Sequence, residues 1–328
     1  MNAPAGLPKV KIYATGGTIA GASSSSTDNL YYKAGSIGIE GLLDAVPEIH
    51  QIADVSGEQF LNVGSHEVTS RDLLTLSKRI QTDLNDDAIR GVIVTHGTDT
   101  LEETAFFLDL TIQSDKPVVV VGAMRPATAI SADGPLNLLQ ATALAAHPDS
   151  RSRGVMIVLS DRIQSAFYTS KTHANALDTF RASEQGSLGF FQNITPHFYY
   201  TAATPTGKTH FDLQTLSTLP RVDIIYSYQD ATADLLKAAL GSGAEGIVIS
   251  ASGNGWASPA LELAAYKLAE ENYPVVFSTR TGNGFADKPP EQGIGSGLIN
   301  AQKSRLMLML SLAGGWSYAA IADCFAKH

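Results

Sequence analysis

Three short stretches set hydroxyls, carboxylates and glycines side by side: "ATGGTIAG" (14–21), "NVGSHEV" (62–68) and "THGTDT" (95–100). In the first, Thr18 follows Gly16 and Gly17, which let the backbone turn sharply and let a ligand approach closely. A hydroxyl there could attack a carbonyl while nearby backbone N–H groups receive the developing oxyanion. The plainer reading of this stretch alone is that Thr18 caps a turn or helix. A phosphate cradle is a third reading. However, glycines at 16, 17 and 21 fit neither G-x-G-x-x-G nor a loop ending in Gly-Lys-Ser/Thr.

In the third stretch, Thr100 and Glu103 have the spacing of a capping box at the head of the apolar stripe Leu101, Ala105, Leu108, Ile112. If that pair caps the helix, Thr98 and Asp99 have no structural task. A hydroxyl beside a carboxylate suits water activation or ammonium binding, but a hydroxyl needs a base or proton-relay partner. Lys171, in "SAFYTSKTHAN", is a candidate, because desolvation beside a polar cluster lowers an amine's pKa. A solvated surface charge is the plainer reading of a loop lysine.

The elements that must position these loops alternate along the chain. "KVKIYA" (9–14), "GVIVT" (91–95), "PVVVVG" (117–122) and "GVMIVLS" (154–160) read as strands covered on both faces. A helix follows Thr69-Ser70, with Leu73, Leu76 and Ile80 on one face. The pattern restarts with strand-like "VDIIYSY" (222–228), "GIVIS" (246–250) and "PVVFST" (274–279). Helices "DLLKAALGSG", "SPALELAAYKLAEEN" (Ser258 as N-cap, Pro259 in the first turn) and "AQKSRLMLMLSLAGG" complete this second set. The expected fold is α/β with two domains, a larger N-terminal and a smaller C-terminal one, each a mostly parallel sheet flanked by helices. The expected boundaries are 1–195 for the catalytic domain, 196–220 for a linker rich in threonine and proline, and 221–328 for the C-terminal domain. "SSSST" (23–27) reads as a mobile loop. The polar loops then fall beyond the carboxyl ends of parallel strands, where such sheets bind ligands.

The chain as a whole narrows the functional classes. Its 328 residues carry a formal charge of −9, which disfavours nucleic acid as a partner. No run approaches the ~18 apolar residues of a membrane span. The single cysteine, Cys324, allows no internal disulfide and reads as a packed apolar thiol in a terminal helix. The first residues lack the charged and apolar regions of a secretory signal. The expected compartment is therefore the periplasm if a signal has been removed and the cytoplasm otherwise.

Taken together, "ATGGTIAG", "YKAGSIG" (32–38), "GEQFLNVGS" (57–65), "VTHGTDTLEETAFFLDL", "SDKPVVVVGAMRPATAISADGPLNLLQA", "GVMIVLSDRI", "SKTHANALDTF" and "STRTGNG" resemble the bacterial type II L-asparaginases and glutaminase-asparaginases. The likeness runs from about residue 8 to 326. It implies hydrolysis of asparagine, with glutamine as a second candidate, to the acid and ammonia through an acyl-enzyme. Thr18 matches the nucleophile, next to Gly17. Tyr32 matches a flap tyrosine whose phenol assists it, and "SSSST" becomes part of a closing lid. Thr98, Asp99 and Lys171 match a second triad that moves protons and directs water. Ser65 and Asp99 match residues that hold the substrate's α-carboxylate and α-ammonium. The resemblance further implies no metal or organic cofactor, and a homotetramer built as a dimer of tight dimers. In it the C-terminal domain completes the neighbouring subunit's site, and Glu291 of "KPPEQG" matches the glutamate lent across.

Two positions depart from the family pattern. His66 stands where glutamine or glutamate usually follows the serine, and Trp256 of "SGNGWAS" stands where asparagine or serine usually follows the turn. Neutral imidazole accepts a hydrogen bond from an ammonium and imidazolium repels it, so His66 would make turnover fall on acidification. Alternatively it packs against its loop. Trp256 either caps the pocket, disfavouring glutamine, or lies outside it. Two other classes compete with a hydrolase: a dinucleotide-binding oxidoreductase, which the glycine pattern disfavours, and an amino-acid-binding protein of the same fold that has lost turnover.

Overall fold

The computed structural model describes residues 6–289 and 291–328. The chain divides into two compact units, the first ending at Thr204 and the second spanning Pro205–His328.

The first unit is built on an eight-stranded sheet. Its strands are β1 (Lys9–Gly16), β2 (Asp54–Val63), β3 (Ile89–Thr95), β4 (Val118–Val121), β5 (Val155–Leu159), β6 (Arg162–Ser165), β9 (Gly189–Gln192) and β10 (Thr195–Phe198). They lie in the order β10-β9-β6-β5-β4-β3-β1-β2. Strands β1 to β5 pair in parallel. β6, β9 and β10 continue the sheet antiparallel. A separate two-stranded ribbon joins β7 (Ser170–Lys171) and β8 (Phe180–Arg181).

Both faces of the inner parallel strands β3, β4 and β5 are covered, which accounts for their unbroken apolar runs. Side chains alternate across a strand. Ile93, Val119 and Val121 therefore enter one core with Leu138 and Leu144 of helix Gly134–Ala146. Val92, Val94, Val118 and Val120 enter another with Leu76 and Ile80 of helix Ser70–Leu84 and Leu101, Ala105 and Leu108 of helix Leu101–Thr111.

The second unit carries four parallel strands in the order β11 (Val222–Tyr226), β12 (Gly246–Ala251), β13 (Val275–Thr279) and β14 (Ile294–Gly295). Helices Asp234–Gly241 and Pro259–Glu270 follow β11 and β12, and helix Ala301–Ala313 follows β14; Ser258 caps the second by accepting from Leu261 N–H. The expected two-domain α/β architecture is the observed one. Among the described residues no helix is long and apolar enough to cross a membrane.

Part of the expected linker is sheet: β10 extends the first unit into 196–198, pairing with β9. The sequence hides it because Pro196 argues against a strand, yet an edge strand tolerates a residue without an N–H. Cys324 is buried in helix Tyr318–Phe325, and burial pushes its thiol pKa up.

The strand order 2-1-3-4-5 reverses between β1 and β3, and at such a switch point a crevice opens beyond the carboxyl ends of the two strands. The loops after β1 and β3 begin with "GTIAG" (17–21) and "HGTDT" (96–100).

Candidate active site

Two glycines bring those loops together. Gly17 has φ 78° and ψ −167°, a conformation open essentially to glycine alone. A Cβ placed on Gly17 would lie 2.2 Å from Gly97 Cα, so the two backbones touch where any side chain would separate them. The residues that follow, Thr18 and Thr98, are thereby set on adjoining loops, and both are buried. The loop after β2 closes the third side: a Cβ on Gly97 would meet the Ser65 side chain at 2.9 Å. Thr15 Oγ1 donates to Thr95 O at 2.8 Å and ties the ends of β1 and β3.

Thr18 begins a single 3-10 turn, Thr18–Ala20. Its Oγ1 lies 2.6 Å from Tyr32 Oη. Tyr32 comes from the segment that leaves at Gly21 and returns at Lys33, where Ala22 and Lys33 exchange N–H···O bonds of 3.1 and 3.0 Å. A Cβ on Gly21 would stand 2.8 Å from the Tyr32 ring, so the last glycine of "ATGGTIAG" makes room for the phenol. The exposed "SSSST" tract lies within this segment. Ser23 N–H donates to Thr128 Oγ1 at 2.9 Å and Ile130 N–H to Ser26 O at 2.8 Å, which dock the tract on the loop 127–130.

On the other side, Lys171 Nζ donates to Thr98 Oγ1 at 3.1 Å and to Asp99 Oδ1 at 2.7 Å. The lysine side chain is 15% exposed, so the solvated-charge reading does not describe it. Its backbone N–H donates to Glu102 Oε2 at 2.5 Å, fixing the β7 ribbon against helix Leu101–Thr111. Asp99 N–H donates to Ser65 Oγ at 3.2 Å.

The capping box expected of Thr100 and Glu103 does not form. The Thr100 side chain makes no cap bond; its hydroxyl donates to Ser65 O at 2.7 Å. With φ −121° and ψ 17°, Thr100 lacks the extended backbone that aims an N-cap oxygen along the helix. Thr100 is a strut between two loops. The inference that Thr98 and Asp99 are spare because the helix is already capped therefore loses its premise; their contacts with Lys171 and Ser65 carry the argument.

His96 was not singled out by sequence reasoning. It is fully buried, with Nδ1 2.7 Å from Gly97 O and Nε2 2.9 Å from Thr104 Oγ1. Burial pushes its pKa down to about 4. The available signal was an imidazole ending an unbroken apolar strand.

The remaining candidates are placed as follows. His66 is exposed in the turn Ser65–Glu67, its ring beside Gly64, whose N–H donates to Glu67 Oε1 at 2.8 Å. Trp256 and Glu291 belong to the second unit. Glu291 is exposed in a turn. Trp256 is 57% exposed, with Lys288 Nζ 4.2 Å from its ring centre. Lys288, also missed from sequence, is buried among the Trp256, Phe277 and Tyr266 rings and donates to Glu262 Oε1 at 3.1 Å.

The geometry thus defines two hydroxyls on adjoining loops, one against a phenol and one against an ammonium, with a carboxylate and a serine alongside. Residues 9–204 match the family described as "Asparaginase, N-terminal" and residues 221–325 match "Glutaminase/Asparaginase C-terminal domain". The chain belongs to the asparaginase family. It is 50% identical over 323 residues to "Probable L-asparaginase 1" of Schizosaccharomyces pombe, covering 98% of this chain and 89% of that protein. It is 49% identical over 313 residues to "L-asparaginase 2" of Bacillus subtilis, covering 93% and 83%. A solved structure, "Probable Cytoplasmic L-asparaginase from Campylobacter jejuni", superposes with a TM-score of 0.93 at 40% identity, covering 98% of this chain and 99% of that one.

Proposed function

We propose that this protein is an amidohydrolase that converts L-asparagine to L-aspartate and ammonia through an ester on Thr18, with L-glutamine as a second substrate. The observation that carries the proposal is the convergence of Thr18 and Thr98 through the Gly17–Gly97 contact. In the first half-reaction Thr18 Oγ1 attacks the side-chain amide carbon, and its proton is relayed through the Tyr32 phenol, 2.6 Å away, which accepts it while passing its own proton on toward the amide nitrogen. Backbone N–H groups beside the threonines receive the oxyanion. The C–N bond breaks, the amide nitrogen takes up a proton, and ammonia leaves an aspartyl ester.

In the second half-reaction water attacks that ester. Because Thr98 Oγ1 accepts from Lys171, its own proton is free to be donated elsewhere, which suits a hydroxyl that orients water and relays a proton. The ester C–O bond breaks and Thr18 regains its proton. Ser65 and Asp99 hold the α-carboxylate and α-ammonium, with His66 beside the amino end. In the proposed homotetramer, Glu291 and Trp256 of a neighbouring copy complete the pocket. Ammonia release from L-asparagine and L-glutamine tests the reading. The expected result is release from L-asparagine that is lost in Thr18→Val; binding of L-aspartate without any release would contradict it.

A further inference from the structure

Fixing a loop that carries a reacting hydroxyl takes more than the contacts of the hydroxyl itself. Gly97 precedes Thr98 and, as a glycine, contributes no side chain to hold its own peptide plane. Its carbonyl oxygen lies 2.7 Å from His96 Nδ1. A carbonyl only accepts, so Nδ1 carries the proton. In a neutral ring Nε2 is then the acceptor, and Thr104 Oγ1, 2.9 Å away, donates to it. Full burial favours the neutral ring, in keeping with the depressed pKa. Thr104 is itself 1% exposed, on a helix anchored in the core below the site. The Gly97–Thr98 peptide is trans, so its carbonyl and the Thr98 N–H point in opposite directions. A grip on the carbonyl therefore sets the direction of that N–H and the start of Thr98.

We infer that His96 and Thr104 form a buried brace, Thr104 Oγ1–H to Nε2 and Nδ1–H to Gly97 O, that positions Thr98 for reaction. Both are positioning residues, and the inference rests on the proposed hydrolysis. Without the brace the Gly97–Thr98 peptide loses the hydrogen bond that fixes its plane, and small misplacements of a reacting group are costly in rate.

Thr104→Val keeps the shape and β-branching of the side chain and removes only the donor. The expected result is a kcat lowered by about 10-fold, with KM close to the parent value. Thr104→Ser, which restores a hydroxyl, recovers most of that loss. A folded Thr104→Val protein with a lower Tm but the parent kcat and KM would overturn the inference, since a purely structural contact moves Tm alone. If Thr104→Val fails to fold, His96→Asn is read the same way. A second readout needs no turnover. In protein labelled with 15N-histidine at neutral pH, the signal absent from His96→Asn should be an Nδ1–H imidazole; an Nε2–H imidazole would overturn the brace. A parent that releases no ammonia contradicts the proposed function instead and leaves that tautomer test standing.

Discussion

Gly17 and Gly97 touch backbone to backbone, and a Cβ on either would enter the other's loop. This contact lets two threonines eighty residues apart (18 and 98) adjoin. Gly17→Ala adds a methyl 2.2 Å from Gly97 Cα and forces alanine to φ 78°. Strain and overpacking together should cost on the order of 2–6 kcal/mol. Urea unfolding should show the loss, and ammonia release should fall by more than the folded fraction accounts for. An active Gly17→Ala protein of parent stability would contradict the contact.

Lys171 bridges Thr98 and Asp99, and the carboxylate side of that pair is 68% exposed. Such a pair contributes little stability, about 0–1 kcal/mol. Lys171→Met should therefore change Tm only slightly while lowering kcat by about 10²-fold or more. Steady-state kinetics beside a melting curve check the split; a large Tm drop with kcat retained would make the lysine structural.

His96 gives a pH dependence of known sign. Its folded pKa is depressed to about 4, against about 6.5 when unfolded. Above that unfolded value both states are neutral and pH has no effect through this group. As pH falls from about 6.5 towards 4 the unfolded chain binds the proton first, so stability declines, by about 3 kcal/mol in full. Unfolding free energies measured across this range should show a steeper acid loss in the parent than in His96→Asn. Parallel curves would place His96 in a solvated setting.

Lys288 and Glu262 form a buried pair, with side chains 3% and 15% exposed. Lys288→Met leaves the carboxylate inside without its cation, which should cost about 3–5 kcal/mol. Lys288→Met combined with Glu262→Gln should recover much of that, as a double-mutant cycle in urea would show. Additive losses would argue against coupling.

Most of the parallel framework was legible because a short, continuous β-branched run such as "PVVVVG" suits a strand with both faces covered and suits a helix poorly. β2 was harder: as an edge strand it is largely half-exposed, and "DVSGEQFLNV" shows no apolar run. β10 was hidden by Pro196. At the site, residue types alone left Thr18 better read as a cap and Lys171 as a surface charge; the long threonine-bearing stretches pointed to catalytic roles only through the family resemblance they carry. The Thr100–Ser65 strut could not be read from the sequence, since its partner is a backbone carbonyl thirty-five positions away. Nor could the braces at His96 and Lys288, where burial by distant elements, and not local spacing, gives the side chain its role.

The central claim is that Thr18 takes the acyl group. The most direct measurement is acid quenching during turnover of L-asparagine, followed by peptide mass mapping of parent and Thr18→Val. An aspartyl ester on the peptide carrying Thr18 is expected in the parent, with no ester and turnover lowered by about 10⁴-fold or more in Thr18→Val. An ester on another residue, or parent-level ammonia release by Thr18→Val, would contradict the account.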